Sequence, residues 1–206
     1  DHVAAASQRA ADLCRQMLAY SGKGRFVVEP LSLNEIVREM AHLLRVSIRK
    51  NVVLSYNFSA DLPSVMADAA QLRQVVTNLI TNASEAIAEV SGVVTLTTGV
   101  MDCDSGYLEG AVGDGDAHPD GQYVYLEVSD TGPGLTPQAR AHLFEAFQSS
   151  SRLGGAGLGL AIATELVRAH GGEISLVEGT IGATFRVTIP DRAVELKARR
   201  DERASA

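Results

Sequence analysis

The chain has 206 residues, 46% of them apolar and 21% charged, with a formal net charge of −7. That length and composition allow one well-buried domain with an appendage, or two small domains, of soluble globular type. An acidic balance with no Trp, five Phe and five Tyr, and no basic stripe, argues against binding to a nucleic acid backbone, which needs clustered Lys and Arg to displace counterions.

The elements alternate in type along the chain. Residues 4–20 place Ala10, Leu13, Met17, Leu18 and Tyr20 at helical intervals, and Gly22 and Gly24 separate that helix from the remainder of the chain. "RFVVEPLSL" reads as a short strand ending near Pro30, with Ser32 or Asn34 to cap the helix "NEIVREMAHLLRVSIRK". "VVLSYNF" alternates as a strand, "PSVMAD" is a short extended piece, and Asp68 can cap the long helix "AAQLRQVVTNLITNASEAIAEV". "GVVTLTTGVM" and "QYVYLEVSD" are strands joined by a polar connector over 102–121, most simply a long hairpin loop. After these come a turn, a short helix "PQARAHLF", a Gly-rich segment and a helix from Gly159 to His170, and "EISLVEG" with "ATFRVTIP" closes the series as a hairpin.

This order predicts an α+β domain over 25–190 with helices on one face of a mixed sheet. A separate helix is expected at 1–24 and a charged linker or tail at 191–206. Cys14 and Cys103 lie far apart and form no CxxC pair, which points to free thiols in a reducing cytoplasmic setting. No apolar run approaches the roughly 20 residues that span a bilayer. The first residue is Asp, not Met, so a segment of a longer protein is expected, in which a membrane anchor has room elsewhere.

Three stretches bear on chemistry. Asn78 and Asn82, four apart, project from one helix face; taken alone they also fit a solvated flank. "SDTGPGLT" sets Asp130 between a β-run and a turn loosened by Gly132 and Gly134, which alone also fits an ordinary Asp/Gly turn. "GGAGLGLAIA" lets backbone N–H groups approach an anion at a helix N-terminus, although a flexible loop fits it as well. It is neither a Walker loop nor a dinucleotide fingerprint, since no Lys follows the glycines and no strand precedes them.

Taken together and in this order, "QVVTNLITNASEA", "DTGPGL", "LFEAF" with Phe144 and Phe147, and "GAGLGLAIA" resemble the N, G1, F and G2 boxes of the catalytic and ATP-binding domain of sensor histidine kinases, in the GHKL ATPase superfamily. The resemblance covers about 25–190 and implies a two-layer sandwich with three helices on one face of the sheet. Residues 1–24 resemble the second helix of the dimerisation and phosphotransfer hairpin, so the phosphoacceptor histidine would lie before residue 1. None of the chain's five histidines, His2 and His42 included, sits in that kind of box.

The resemblance implies that Asp130 accepts a hydrogen bond from the adenine amino group and that Asn82 coordinates Mg²⁺ through its amide oxygen. Asn78 stands where related ATPases carry a water-activating glutamate, consistent with phosphoryl transfer to a protein histidine, for which Asn78 and Asn82 are the catalytic pair. Gly132, Gly134, Leu135, Phe147, Arg152, Gly155, Ala156, Gly157, Leu158 and Gly159 complete the expected nucleotide site. "QSSSRLG" would be the lid over it. The implied partners are ATP or ADP, a phosphoacceptor helix, a response regulator or receiver domain, and a second subunit. Two departures stand out: Ser151 lies near where many relatives have a lid Lys, whose charge Arg152 can replace, and Glu85 and Ala86 stand where others have Lys and Tyr. The lid departure keeps open a degenerate domain that docks a response regulator without using ATP. A serine-directed kinase is a third reading.

Overall fold

The computed structural model describes residues 27–87, 90–103, 121–145, 157–178 and 181–191. The helix expected at 1–24, the connector 104–120 and the tail beyond Asp191 lie outside the described residues.

Among the described residues seven strands and four helices run in the order β1 (Glu29–Leu31), α1 (Leu33–Leu44), β2 (Val52–Phe58), β3 (Val65–Ala67), α2 (Ala69–Ile87), β4 (Gly92–Cys103), β5 (Gly121–Asp130), α3 (Pro137–Ala141), α4 (Gly159–Ala169), β6 (Glu173–Leu176) and β7 (Thr184–Pro190). Five of the strands form a mixed sheet in the order β2-β4-β5-β7-β6. Only β2 and β4 run parallel, and the chain between them crosses over through β3 and α2. β4 and β5 pair in antiparallel register from Val94 opposite Asp130 to Cys103 opposite Gly121, as the expected long hairpin requires. β1 and β3 form a separate antiparallel ribbon.

The two layers arise from the strand period of two. Val94, Leu96, Val124, Leu126, Val128, Val187 and Ile189 point to one side and share a single core with Ile36 and Val37 of α1, Val75, Leu79 and Ile80 of α2, and Ala163 and Val167 of α4. The alternate residues make a polar outer face, where Arg186 donates from Nε to Glu127 at 2.8 Å and lies 5.5 Å from the Tyr125 ring centre. α3 buries nothing, so three helices pack on the sheet and the fourth rides on the surface.

Capping fixes where the helices begin. Ser32 caps α1, its hydroxyl accepting from the Glu35 N–H at 3.4 Å, while the other candidate, Asn34, spends its amide on the Ser59 carbonyl and the Thr98 hydroxyl. Asp68 caps α2 as expected: Oδ1 accepts from the N–H groups of Ala70 at 2.9 Å and Gln71 at 3.1 Å. The backbone N–H of Asp68 donates to His170 Nε2 at 3.0 Å, which joins the start of α2 to the end of α4. α1 stops at Leu44, six residues before the expected Lys50. Beyond it Val46 is 93% exposed, so this β-branched residue has no packing to offset its poor helix propensity, while Ile48 packs half-buried on the core from outside the helix.

Candidate functional site

Asp130 closes β5 and is 2% exposed. Its Oδ1 accepts from the Gly132 N–H at 2.8 Å and the Ala183 N–H at 3.4 Å, and its own N–H donates to the Ala183 carbonyl at 2.9 Å. Oδ2 accepts no hydrogen bond from the described residues. Burial pushes this carboxyl above its ordinary value, and the two N–H groups pull against that shift. The result is a carboxylate with one oxygen tied to the backbone and the other available to a donor.

The turn that holds it depends on two glycines. Gly182 has φ +75°, and a Cβ there would lie 2.0 Å from the Asp130 carbonyl oxygen. Gly134, with φ +73°, would in turn place a Cβ 2.9 Å from the Gly182 carbonyl oxygen. Leu135 packs half-buried on the core behind the turn. Gly132 sits against α2, where a Cβ would meet the Ala86 carbonyl oxygen at 3.0 Å.

One helical turn before Ala86 comes Asn82, and one turn before that Asn78. Both amides face Gly159, the first residue of α4: a Cβ on Gly159 would lie 3.6 Å from Asn82 Oδ1 and 3.8 Å from Asn78 Cγ. These are ordinary contact distances, so the start of α4 packs directly on the two amides. Asn78 is buried and donates from Nδ2 to the Gly159 carbonyl at 2.8 Å, while its Oδ1 accepts from Gln74 Nε2 at 2.9 Å. Asn82 is half-buried and makes no side-chain hydrogen bond to the described residues. The two asparagines therefore divide the work: Asn78 ties α2 to α4, and Asn82 presents a spare amide.

α4 opens without a side-chain cap and without an acidic residue in its first turn. Its N-terminal N–H groups and dipole are thus directed at whatever lies beyond Gly159. Leu158, 8% exposed, and Leu160, half-buried, anchor this end in the core. Gly157 is described, at φ +66°. Phe147, Arg152, Gly155 and Ala156 lie outside the described residues. From Asn78 to Ala86 the arrangement runs about 12 Å along α2 at 1.5 Å per residue, with the carboxylate at one end and the helix N-terminus at the other.

Magnesium fits this donor set. Asn82 offers one neutral oxygen, and no cluster of three or more His, Cys, Asp or Glu exists among the described residues. A hard cation that takes one or two protein oxygens and draws the rest from phosphate and water matches that supply. A groove outside α1, lined by Glu35, Arg38, Glu39, His42 and Leu43, shares no residue with the arrangement.

Residues 67–193 match the model of the histidine kinase-, DNA gyrase B- and HSP90-like ATPases. The chain belongs to this family. Among curated relatives, the chain is 32% identical over 202 residues to the sensor kinase CckA of Brucella abortus, covering 97% of the chain and 21% of that protein. It is 31% identical over 164 residues to the sensory histidine kinase/phosphatase NtrB of Rhizobium meliloti, covering 78% and 41%. The chain thus spans under half the length of either. Among solved structures it resembles full-length ShkA in complex with AMPPNP (30% identity, TM-score 0.67, 88% of this chain and 36% of that one). It also resembles the nucleotide-free catalytic domain of histidine kinase ThkA (27%, TM-score 0.62, 82% and 97%). The expected α+β fold with helices on one face of a mixed sheet is the fold of those neighbours.

Three residues of the candidate site, Gly182, Ala183 and Gln74, carry no signal of their own in the sequence motifs. Gly182 and Ala183, which secure Asp130, sit in "TIGATF", where a glycine before a strand looks like any turn. Gln74, which orients Asn78, was legible as an amide four residues before it on the same face.

Proposed function

We propose that this chain carries the ATP-binding kinase core of a two-component sensor histidine kinase, which binds ATP with Mg²⁺ and transfers the γ-phosphoryl group to a histidine on a separate helix. The observation that carries the reading is Asp130, buried with Oδ1 fixed by two backbone N–H groups and Oδ2 open. A fixed acceptor there pairs with the exocyclic amino group of adenine and rejects guanine, which has a carbonyl at that position. Two helical turns away, the uncapped N-terminus of α4 offers N–H groups to the phosphates.

Asn82 would hold the Mg²⁺, which supplies neutralisation of phosphate charge. Asn78, an amide with no basic form, cannot abstract a proton from water, which favours transfer over hydrolysis. In the transfer an imidazole nitrogen attacks the γ-phosphorus, the bond to the bridging oxygen breaks, and ADP leaves with its electron pair. The protein contributes alignment and electrostatics. Phe147, Arg152, Gly155 and Ala156 would complete the nucleotide contacts, and a response regulator would receive the phosphoryl group from a dimeric full-length kinase.

The test is a calorimetric titration of the chain with ADP and a nonhydrolysable ATP analogue, with and without Mg²⁺, beside Asp130→Asn. Binding that Mg²⁺ strengthens and the substitution abolishes is expected. No binding at millimolar nucleotide would sink the reading and leave a docking module as the better account.

A further inference from the structure

Three primary amides share one face of α2 at steps of four: Gln74, Asn78 and Asn82. The first two are joined in a relay, Gln74 Nε2 donating to Asn78 Oδ1 at 2.9 Å and Asn78 Nδ2 to the Gly159 carbonyl at 2.8 Å. One atom sets the direction of the whole relay. A carbonyl oxygen can only accept, so Asn78 must turn its Nδ2 toward Gly159; its Oδ1 then faces Gln74, which must answer with its own NH₂.

We infer that Gln74 is a positioning residue for nucleotide binding and phosphoryl transfer: it holds Asn78 in the orientation that the Gly159 carbonyl sets, and through it the distance between the start of α4 and Asn82. The inference rests on the nucleotide-binding reading above. Without a donor at position 74, Asn78 Oδ1 is left buried and unsatisfied while Nδ2 holds Gly159, so the amide swings toward another donor or water and the tie weakens. The phosphate-facing N–H groups of α4 then lose their fixed register with Asn82. The relay also occupies Asn78 Oδ1, so Asn82 is the amide oxygen that would be on offer to Mg²⁺.

Two substitutions separate this role from packing. Gln74→Leu removes the donor at all pH values. Gln74→Glu keeps the shape, but its carboxylate faces Asn78 Oδ1 as acceptor against acceptor; once protonated, its O–H can donate and restore the relay. The measurement is Mg²⁺–ADP affinity by calorimetry at about pH 8 and near pH 5, each variant relative to wild type, with thermal unfolding alongside. At the higher pH both variants are expected to bind about tenfold more weakly, the scale of one lost and one frustrated hydrogen bond. At the lower pH Gln74→Glu recovers and Gln74→Leu does not. Wild-type affinity in either variant at the higher pH, or equal losses for Gln74→Glu at both, overturns the inference. Wild type failing to bind at all sinks the nucleotide reading and this inference with it, whereas wild-type binding with unaffected variants sinks the inference alone.

Discussion

The two ends of the site are built differently. At the Asp130 end the functional group is held by main chain: β5 supplies the residue, and the Gly132 and Ala183 N–H groups fix its Oδ1. At the Asn82 end the geometry is set by side chains on one helix, with Asn78 spanning from α2 to Gly159. A backbone cradle tolerates change everywhere except at the acceptor and at the glycines whose shape it needs. A side-chain relay can be retuned one amide at a time. On the proposed reading, base recognition falls to the rigid half of the site and phosphate handling to the adjustable half.

The sharpest way to break this contrast is at Asp130. Asp130→Asn keeps an oxygen for Gly132 and Ala183 but puts an NH₂ where Oδ2 would accept, so adenine meets donor against donor. Nucleotide affinity should fall by about 100-fold or more in a calorimetric titration. The same substitution removes a carboxyl whose raised pKa shows that the fold holds its charged form at a cost. The unfolding temperature of the nucleotide-free protein at neutral pH should therefore hold or rise, and a marked drop would mean that Asp130 serves the fold instead.

Gly182→Ala attacks the cradle itself. With φ +75° and a Cβ 2.0 Å from the Asp130 carbonyl oxygen, the backbone must shift, and a loss of about 2–4 kcal/mol is expected from denaturant unfolding. Asn82→Ala probes the other end. Since Asn82 supports no hydrogen bond to the described residues, stability should change by less than about 1 kcal/mol. The strengthening of nucleotide binding by Mg²⁺ should nevertheless vanish. An Asn82 variant that unfolds easily while keeping its Mg²⁺ response would reverse the assignment.

The smallest expected effect concerns the link between the two helices that carry the adjustable end. His170 donates from Nδ1 to the Leu166 carbonyl at 2.7 Å and accepts the Asp68 N–H on Nε2, an arrangement that requires the neutral ring. Burial lowers its pKa, while the Leu166 bond and the Asp68 charge oppose the shift. The folded pKa lies below the unfolded one, so the unfolded chain binds the proton first. Stability is then complete above about pH 6.5 and declines as pH falls through that value toward the lowered folded pKa. Unfolding midpoints at stepped pH should show this slope, and His170→Gln should flatten it.

The sequence was most informative where a single local cause decides the structure. Asp68 as a cap, the strands "VVLSYNF" and "ATFRVTIP", and the Asn78/Asn82 face all arise from short-range chemistry, and each is found as expected. Where a contact joins distant elements, local pattern was silent. Nothing in "TIGATF" says that Ala183 will answer Asp130 across 53 residues, nor that the Asn78 amide will reach Gly159 across 81. The end of α1 was overrun for a related reason: apolar residues at 46 and 48 kept the helical period, but nothing packs on Val46 to reward it.

The parallel pairing of β2 with β4 has a consequence for how α2 is kept in place. Each residue of β2 lies opposite one 40 positions further along, as Val52 opposite Gly92, so the pair closes a long loop whose entropic cost must be met before the contact can repay it. The helix with all three amides lies inside that loop. Among the described residues β2 also stands at the edge of the sheet, bonded to a neighbour on one side. Fraying at this edge reopens the loop around α2 from both ends at once, so the hold on the helix that carries Asn78 and Asn82 is tied to a strand that contributes no residue to the candidate site.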